Sequence, residues 1–224
     1  GIPSLAEELQ IIRDLYILEY TGGKLHIPTI STKKSVSLIK EAKKKGLNVS
    51  CSVAITNLLL TDDVLSSFDT NYKLLPPLRT SIDIKALLKG IKEGVIDAIT
   101  SDHNPIDIEH KKIEFDHALY GSVGLESCFG ALNSLLSTEK SIKMLTGLKE
   151  EFSIETSGIE ENNTANITLF NPSGEWIFSE KHILSSSKNS ALIKSKLKGN
   201  VYGIFANKKL VLNKWKVQEI LKQY

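Results

Sequence analysis

Apolar residues recur along this chain with two different periods, and their alternation outlines the fold. In residues 4–21 they fall at helical spacing, and the sequence TGG ends the run. Short runs rich in Val and Ile predict strands at 24–30, 47–55 and 95–101, whereas capped amphipathic patterns predict helices at 31–46, 81–94 and 124–137. Strands that alternate with helices in this way are typical of a parallel α/β sheet.

From about residue 140 the pattern changes to β-forming residues separated by turn residues. The stretch GNVYGIFANKKLVL predicts a hairpin around Asn207. We therefore expect an α/β part over 1–159, a small β-rich appendage over 160–214 and a C-terminal tail over 215–224.

Composition narrows the class of protein. The 224 residues are 41% hydrophobic and 24% charged, which is typical of a globular protein, and a net charge of +2 argues against a dedicated nucleic-acid binder. No apolar run approaches the roughly 18 residues that a membrane helix needs. Cys51 and Cys128 lie far apart without CxxC spacing, which predicts buried free thiols in a reducing, cytoplasmic compartment.

Candidate site residues lie where the predicted strands end, because parallel α/β proteins place their chemistry at the carboxyl ends of strands. Those positions hold Thr29, the Thr56–Asn57 pair, Leu75 in its loop, and the Asp102–His103 pair. A carboxylate beside an imidazole is a typical metal ligand or general base. Asp102 has a second interpretation, in which its carboxylate accepts hydrogen bonds from loop N–H groups or caps a turn.

Several segments resemble one family. GIPSLAEELQIIRDLYILEYTGGKLHI, KLLPPLRTSIDIKALLKGIKEGVIDAITSDHNP and YGSVGLES look like the C-terminal half of a dihydroorotase of the amidohydrolase superfamily, and ANITLFNPSGEWIF resembles its closing β-rich segment. The resemblance covers residues 1 to about 214. It implies a distorted (β/α)8 TIM-type barrel, of which this chain holds only the C-terminal half, roughly four strands, followed by the β-rich appendage.

The resemblance also implies a chemistry. In the family, one or two zinc ions at the barrel mouth activate a hydroxide that attacks a cyclic amide, so that dihydroorotate and carbamoyl-aspartate are interconverted in pyrimidine biosynthesis. That reaction needs imidazole and carboxylate ligands around an open coordination position.

This chain departs from the family at those ligand positions. The family motif HxxHxST reads HIPTIST, so that Thr29 occupies a ligand position. His26 matches the earlier, non-ligand histidine, and we expect it to pack in the strand wall rather than bind zinc. PHHL or PNHL reads ITNL, which places Asn57 at the second ligand position. NPPLR reads LPPLR, with Leu75 in place of an amide, and DHAPH reads DHNPI, which keeps only Asp102–His103.

These departures predict that zinc is not bound in the usual way. Threonine and asparagine are poor zinc ligands, and strand alternation predicts that His103 faces away from Asp102. We therefore expect no cofactor in this chain, with Asp102 as a ligand only if zinc is bound at all. The family's HxH pair lies upstream of this region, and this chain contains none.

Two functions remain open. In the first, the chain is a non-catalytic dihydroorotase homologue that acts as a structural partner, with aspartate transcarbamoylase or a second copy as candidate partners. A half barrel exposes two sheet edges and a broad apolar face, so we expect the upstream half of the barrel to complete it.

In the second, the chain is an active metal-dependent cyclic-amide hydrolase, either a dihydroorotase or hydantoinase-like. Asp102 would then be ligand and proton carrier, and Arg79 or the loop containing Tyr120 and Gly121 would hold an acidic substrate. Arg79 has an alternative interpretation as a surface ion pair at a helix start.

Overall fold

The computed structural model describes residues 2–155 and 158–213, so the predicted tail over 215–224 lies outside the described residues. The α-helices are α1 (Ser4–Thr21), α2 (Lys33–Lys44), α3 (Thr56–Leu59), α4 (Ser81–Lys92), α5 (Leu125–Leu135) and α6 (Thr138–Thr146). The strands are β1 (Leu25–Ile27), β2 (Val49–Ala54), β3 (Ala98–Thr100), β4 (Ile167–Ile177), β5 (Lys196–Ala206) and β6 (Lys209–Leu212).

The first three strands form a parallel sheet in the order β1-β2-β3, with helices between consecutive strands. Leu25 pairs with Val49 in one ladder and Ser52 with Ala98 in the other. The predicted parallel α/β arrangement is confirmed. The expected count of roughly four barrel strands is wrong for the described residues, because this sheet has three strands there.

The two faces of the parallel sheet differ in chemistry. Ile27, Cys51 and Val53 belong to the hydrophobic core, which they share with the helices. The alternate positions His26 and Ser52 line an open cleft on the other face. Apolar residues such as Ile99 and Phe129 line the same cleft, so the expectation of a broad apolar face stays a prediction.

The C-terminal strands form a separate antiparallel sheet in the order β4-β5-β6. Asn207 and Lys208 connect β5 to β6 with φ values of 50° and 61°, the positive angles of a two-residue hairpin turn. The predicted hairpin is thus confirmed. Phe178 and Leu197 from this region belong to the same hydrophobic core as the parallel sheet. The domain division at residues 159 and 160 stays a prediction.

Both cysteines are buried free thiols, as predicted, and burial raises the pKa of each thiol to about 12. Among the described residues, no helix combines the length and the apolar character required to cross a membrane.

Candidate active site

A cleft of about 730 Å³ opens at the carboxyl ends of the parallel strands. It is the place where the sequence predicted the site. The polar part of its lining comes from the three strands and the loops that follow them: His26, Thr29, Ser52, Thr100, Ser101 and Asp102. Its apolar wall comes largely from α5 and the α6 region: Leu125, Cys128, Phe129, Leu145 and Leu148.

Thr29 lies at the edge of this cleft, two residues after β1. Its backbone has a φ of 45°, and its N–H donates to Oγ of Ser52 at 3.3 Å. This conformation is uncommon for a β-branched residue. Thr29, predicted to occupy the first ligand position, therefore lines the cleft and carries a hydroxyl group instead of an imidazole.

Asp102 lies two residues beyond β3, where the strand alternation has already ended. Its φ is 48° and its N–H donates to Oγ1 of Thr100 at 3.1 Å. Burial raises the pKa of the Asp102 carboxyl above its ordinary value. In the described part of the chain this carboxylate accepts no hydrogen bond, so the interpretation of Asp102 as a turn cap is wrong there.

His26 is the imidazole of the cleft. Its Nδ1 lies 2.8 Å from Oγ of Ser50, and Nε2 lies 3.4 Å from Oγ of Ser52. Phe152 packs edge-on against the ring at a centroid distance of 5.4 Å. Burial lowers the pKa of His26, against a smaller opposite effect from Asp97. The ring is held by hydroxyl groups in the strand wall, as predicted.

His103 contacts a different part of the protein from its neighbour Asp102. The predicted cause, strand alternation, does not apply, because β3 ends at Thr100. Its Nδ1 accepts the N–H groups of Gly124 at 3.2 Å and Leu125 at 3.3 Å. These groups open α5, where backbone N–H groups lack partners within the helix. His103 therefore caps α5, a role that depends on partners 21 and 22 residues away and has no local signal in the sequence.

Asn57 lies in α3, directly after β2, and is 2% exposed. Its Nδ2 donates to the carbonyl oxygen of Pro77 at 3.0 Å, and its Oδ1 is buried without a partner. The hydroxyl of the adjacent Thr56 is also buried and unpartnered. Asn57, predicted to occupy the second ligand position, is therefore tied to the loop that carries Leu75.

Arg79 is buried, so its interpretation as a surface ion pair is wrong. Its Nε donates to Oγ of Ser31 at 3.1 Å, and a guanidinium NH₂ group donates to the carbonyl oxygen of Ile2 at 2.8 Å. Glu7 accepts from both the N–H and the hydroxyl of Ser31. This network joins α1 to the start of α2 and to the loop before α4. It occupies Nε and one NH₂ group of Arg79, the donors that would otherwise hold an acidic substrate.

The two predicted substrate loops are joined by a pair of buried lysines. Lys73 donates from Nζ to the carbonyl oxygens of Phe115 (2.7 Å) and Asp116 (2.8 Å), while its ammonium lies 5.0 Å from the Tyr120 ring. Lys111 donates in the opposite direction, to the carbonyl oxygen of Thr70 at 2.8 Å. Burial, with a further contribution from Lys73, lowers the pKa of Lys111 from 10.5 to about 8.

Tyr120, Gly121 and Leu75 lie around this lysine pair. The Leu75 side chain is 54% exposed. Gly121 has a φ of 148°, its N–H donates to the carbonyl oxygen of Lys73 at 3.0 Å, and a Cβ there would lie 2.6 Å from the carbonyl oxygen of Asn104. None of these three residues lines the strand-end cleft.

The donor set of the cleft does not suit zinc. Zinc prefers imidazole, thiolate and carboxylate ligands, at least three from the protein. The cleft offers one free carboxylate, one imidazole held by Ser50, and neutral hydroxyl groups. Within residues 2–155 and 158–213, no three His, Cys, Asp or Glu side chains come together as a metal-binding group.

Solved structures with the same fold include a hydantoinase and a dihydropyrimidinase. The chain superimposes on the L-hydantoinase (dihydropyrimidinase) of Arthrobacter aurescens with a TM-score of 0.86 and 22% identity, over 95% of this chain and 50% of that one. For the dihydropyrimidinase of Brevibacillus agri the TM-score is 0.84 at 21% identity, over 94% and 49%. The fold is therefore that of the amidohydrolase barrel proteins, over about half of their length.

Sequence relatives identify the family more closely. The chain is 40% identical to a dihydroorotase of Thermoanaerobacter over 90% of this chain and 48% of that protein, and 39% identical to the dihydroorotase of Carboxydothermus hydrogenoformans over 94% and 52%. No protein-family model matches the sequence. The chain is thus homologous to dihydroorotases over 90% or more of its length, and it spans about half the length of the relatives it matches.

Proposed function

We propose that this chain is the C-terminal half of a dihydroorotase-like barrel that has lost zinc-dependent catalysis and acts as a structural partner in pyrimidine biosynthesis. One observation carries the proposal: Asn57, at a ligand position, is buried and bonded to Pro77 instead of facing the cleft with a metal-binding group. Thr29, at the other ligand position, contributes a hydroxyl. Packing depends on the apolar core, which is intact, so the fold can outlast the chemistry.

The first proposed partner is the upstream half of the barrel. In the described residues β1 and β3 are the edge strands of the parallel sheet, and an edge strand presents unpaired backbone groups. Aspartate transcarbamoylase is a second proposed partner, which follows from the family alone. The buried free thiols support a reducing, cytoplasmic location.

A specific observation also favours the alternative, an active hydrolase of dihydroorotate or a hydantoin-like cyclic amide. Asp102 presents a carboxylate in the cleft with no hydrogen-bond partner among the described residues, and its pKa is raised by burial. Carboxylates with perturbed pKa values are typical of catalytic sites. Ligands from the upstream half would be needed to complete a metal site around it.

Turnover of dihydroorotate by the protein at its natural length separates the two functions. We expect no turnover with added zinc in the natural protein. The double variant Thr29→His, Asn57→His tests whether ligand loss alone silences the site, with Tyr20→His, at an 86% exposed position of α1, as the matched control. Zinc-dependent turnover in the natural protein would overturn the proposal of a non-catalytic homologue.

A further inference from the structure

A second cavity, of about 320 Å³, lies between helix α5 and the C-terminal sheet, and we call it the α5 cavity. Helix α5 contributes one part of its lining, β5 and β6 contribute another, and β4 with the loop that follows it contributes the rest. The volume is at the lower end of the range for small-molecule sites, roughly 300–1,000 Å³. The apolar lining consists of Leu125, Phe129, Trp176, Leu184, Val201, Ile204, Val211 and Leu212.

The α5 cavity is a different site from the strand-end cleft. The two share the apolar residues Leu125 and Phe129, but none of the polar residues of the cleft lines the cavity. A ligand in the cavity would therefore need neither Asp102 nor a metal ion. Binding there can be tested whatever the outcome for the proposed function.

Among the described residues, Glu126 is the one carboxylate that lines the α5 cavity, and it lies in the first turn of α5. Its Oε1 accepts the N–H groups of Leu184 at 3.0 Å and Ser185 at 2.9 Å, and also the Ser185 hydroxyl at 2.9 Å. Burial opposes ionisation of this group, but the hydrogen bonds from Ser185 and Leu184 outweigh burial and lower the pKa of the Glu126 carboxyl. The group is therefore a carboxylate at neutral pH, and its orientation is fixed.

Two buried oxygen atoms of the lining residues have no hydrogen-bond partner in the described part of the chain. They are Oε2 of Glu126 and Oδ1 of Asn200. A buried acceptor without a donor destabilises a protein, most of all when the acceptor is charged. A ligand that donates hydrogen bonds to these two oxygens would remove that penalty.

The other lining residues favour a positive charge beside Glu126. The Trp176 ring is held by its own N–H, which donates to the carbonyl oxygen of Gly199 at 2.9 Å, and aromatic faces attract cations. Nδ1 of His182 accepts the N–H of Ser179 at 3.0 Å, as an uncharged imidazole does. No lysine or arginine lines the cavity within the described residues, so no basic side chain of that lining neutralises the carboxylate.

We propose that the α5 cavity binds a small organic cation with an apolar or aromatic body. Its charged N–H group pairs with Oε2 of Glu126, Oδ1 of Asn200 accepts a further N–H, and the body packs between α5 and the C-terminal sheet. Primary arylalkylamines have this chemistry. An acidic ligand would bring a second negative charge to Glu126, and a wholly apolar ligand would leave both oxygens unpaired. The proposal goes beyond the proposed function and does not depend on it.

Isothermal titration calorimetry on the protein at its natural length, at neutral pH, tests the charge of the ligand. The probes are phenylethylamine, which is protonated at that pH, the uncharged analogue phenylethanol, and the anion phenylpropionate. We expect the amine to bind at least about tenfold more tightly than the alcohol, because hydrogen bonds to charged groups are stronger, and we expect no binding of the anion. Equal affinity for amine and alcohol, tighter binding of the anion, or no binding of the amine would overturn the proposal.

The variant Glu126→Gln removes the charge and keeps the acceptor Oε1. We expect it to weaken binding of phenylethylamine by about 10- to 100-fold and to leave binding of phenylethanol unchanged, which shows that the cavity is still formed. The matched control is Glu175→Gln, because Glu175 is exposed on β4, pairs with Lys196 and does not line the cavity. Equal effects of the two variants on the affinity for the amine would contradict the proposal.

Chemical-shift mapping by NMR locates the bound amine without any variant. We expect the amide signals of Gly199 and Gly203, which line the cavity, to move when phenylethylamine is added, while those of Thr29 and Asp102 in the cleft stay in place. Movement confined to the cleft signals would place the amine there and overturn the proposal. A chain that ends at Asn213 should bind the amine equally well. Binding only by that shortened chain would assign the cavity to the C-terminal residues and would also overturn the proposal.

Discussion

The side-chain amide of Asn57 donates to the carbonyl oxygen of Pro77 at 3.0 Å. This bond ties Asn57, which the family resemblance predicts to occupy a ligand position, to the loop that holds Leu75, so its amide has a structural role. Its Oδ1 is buried without a hydrogen-bond partner, so a negative charge placed at this position would be buried and unpaired.

Asn57→Asp should therefore destabilise the protein by about 2 kcal/mol or more at neutral pH, because the donor to Pro77 is lost and a negative charge is buried unpaired. Urea unfolding at pH 7 measures the loss. Asn162→Asp, at an exposed position, is the control and should change stability little. A neutral effect of Asn57→Asp would show that the position is open to solvent or to a cation.

Gly121 should not tolerate a side chain. Its φ of 148° is unfavourable for other residues, and a Cβ would lie 2.6 Å from a backbone oxygen. We expect Gly121→Ala to cost about 3 kcal/mol in unfolding free energy. Gly22→Ala, also at positive φ but with no atom near the added Cβ, should cost about 1 kcal/mol. Similar losses in both variants would contradict the tight approach of the Asn104 loop.

Lys111 should make stability depend on pH above neutrality. Its native pKa is about 8, below the ordinary value of 10.5, so between these values the unfolded chain binds more protons than the native protein. The contribution of Lys111 to the free energy of unfolding therefore increases as the pH rises from about 8 to 10.5, by up to roughly 3 kcal/mol.

Unfolding free energies of the natural protein and of Lys111→Met across this pH range give the measurement. As the pH rises, the free energy of unfolding of the natural protein should increase relative to that of Lys111→Met. Lys112→Met, on the exposed neighbour, is the control. A difference that stays constant with pH would contradict the burial of the Lys111 ammonium.

Much of the fold could be predicted from local patterns. The period of apolar residues gave α1 its observed bounds, Ser4–Thr21. The predicted strands were longer than the observed ones: the strand predicted at 95–101 is Ala98–Thr100 in the structure. The pattern overestimates strand length because apolar residues next to a strand can pack in the core without pairing. Helix α6 was missed, because its sequence begins where the β-forming pattern was taken to start.

The site was predictable only in part, because its contacts join distant segments. The strand-end rule located Thr29 and Asp102, which do share the cleft. Arg79 and His103 owe their roles to partners such as Ser31 and Gly124, which the sequence gives no means of pairing with them. Ser52 was missed, although its alternation with core residues in β2 was a usable signal.

The most direct test of the central claim is the zinc content of the protein at its natural length, purified without chelators and measured by elemental analysis after addition of zinc and removal of the excess. Thr29 and Asn57 in place of imidazoles predict far less than one zinc per chain. One or more tightly held zinc ions per chain would contradict the account.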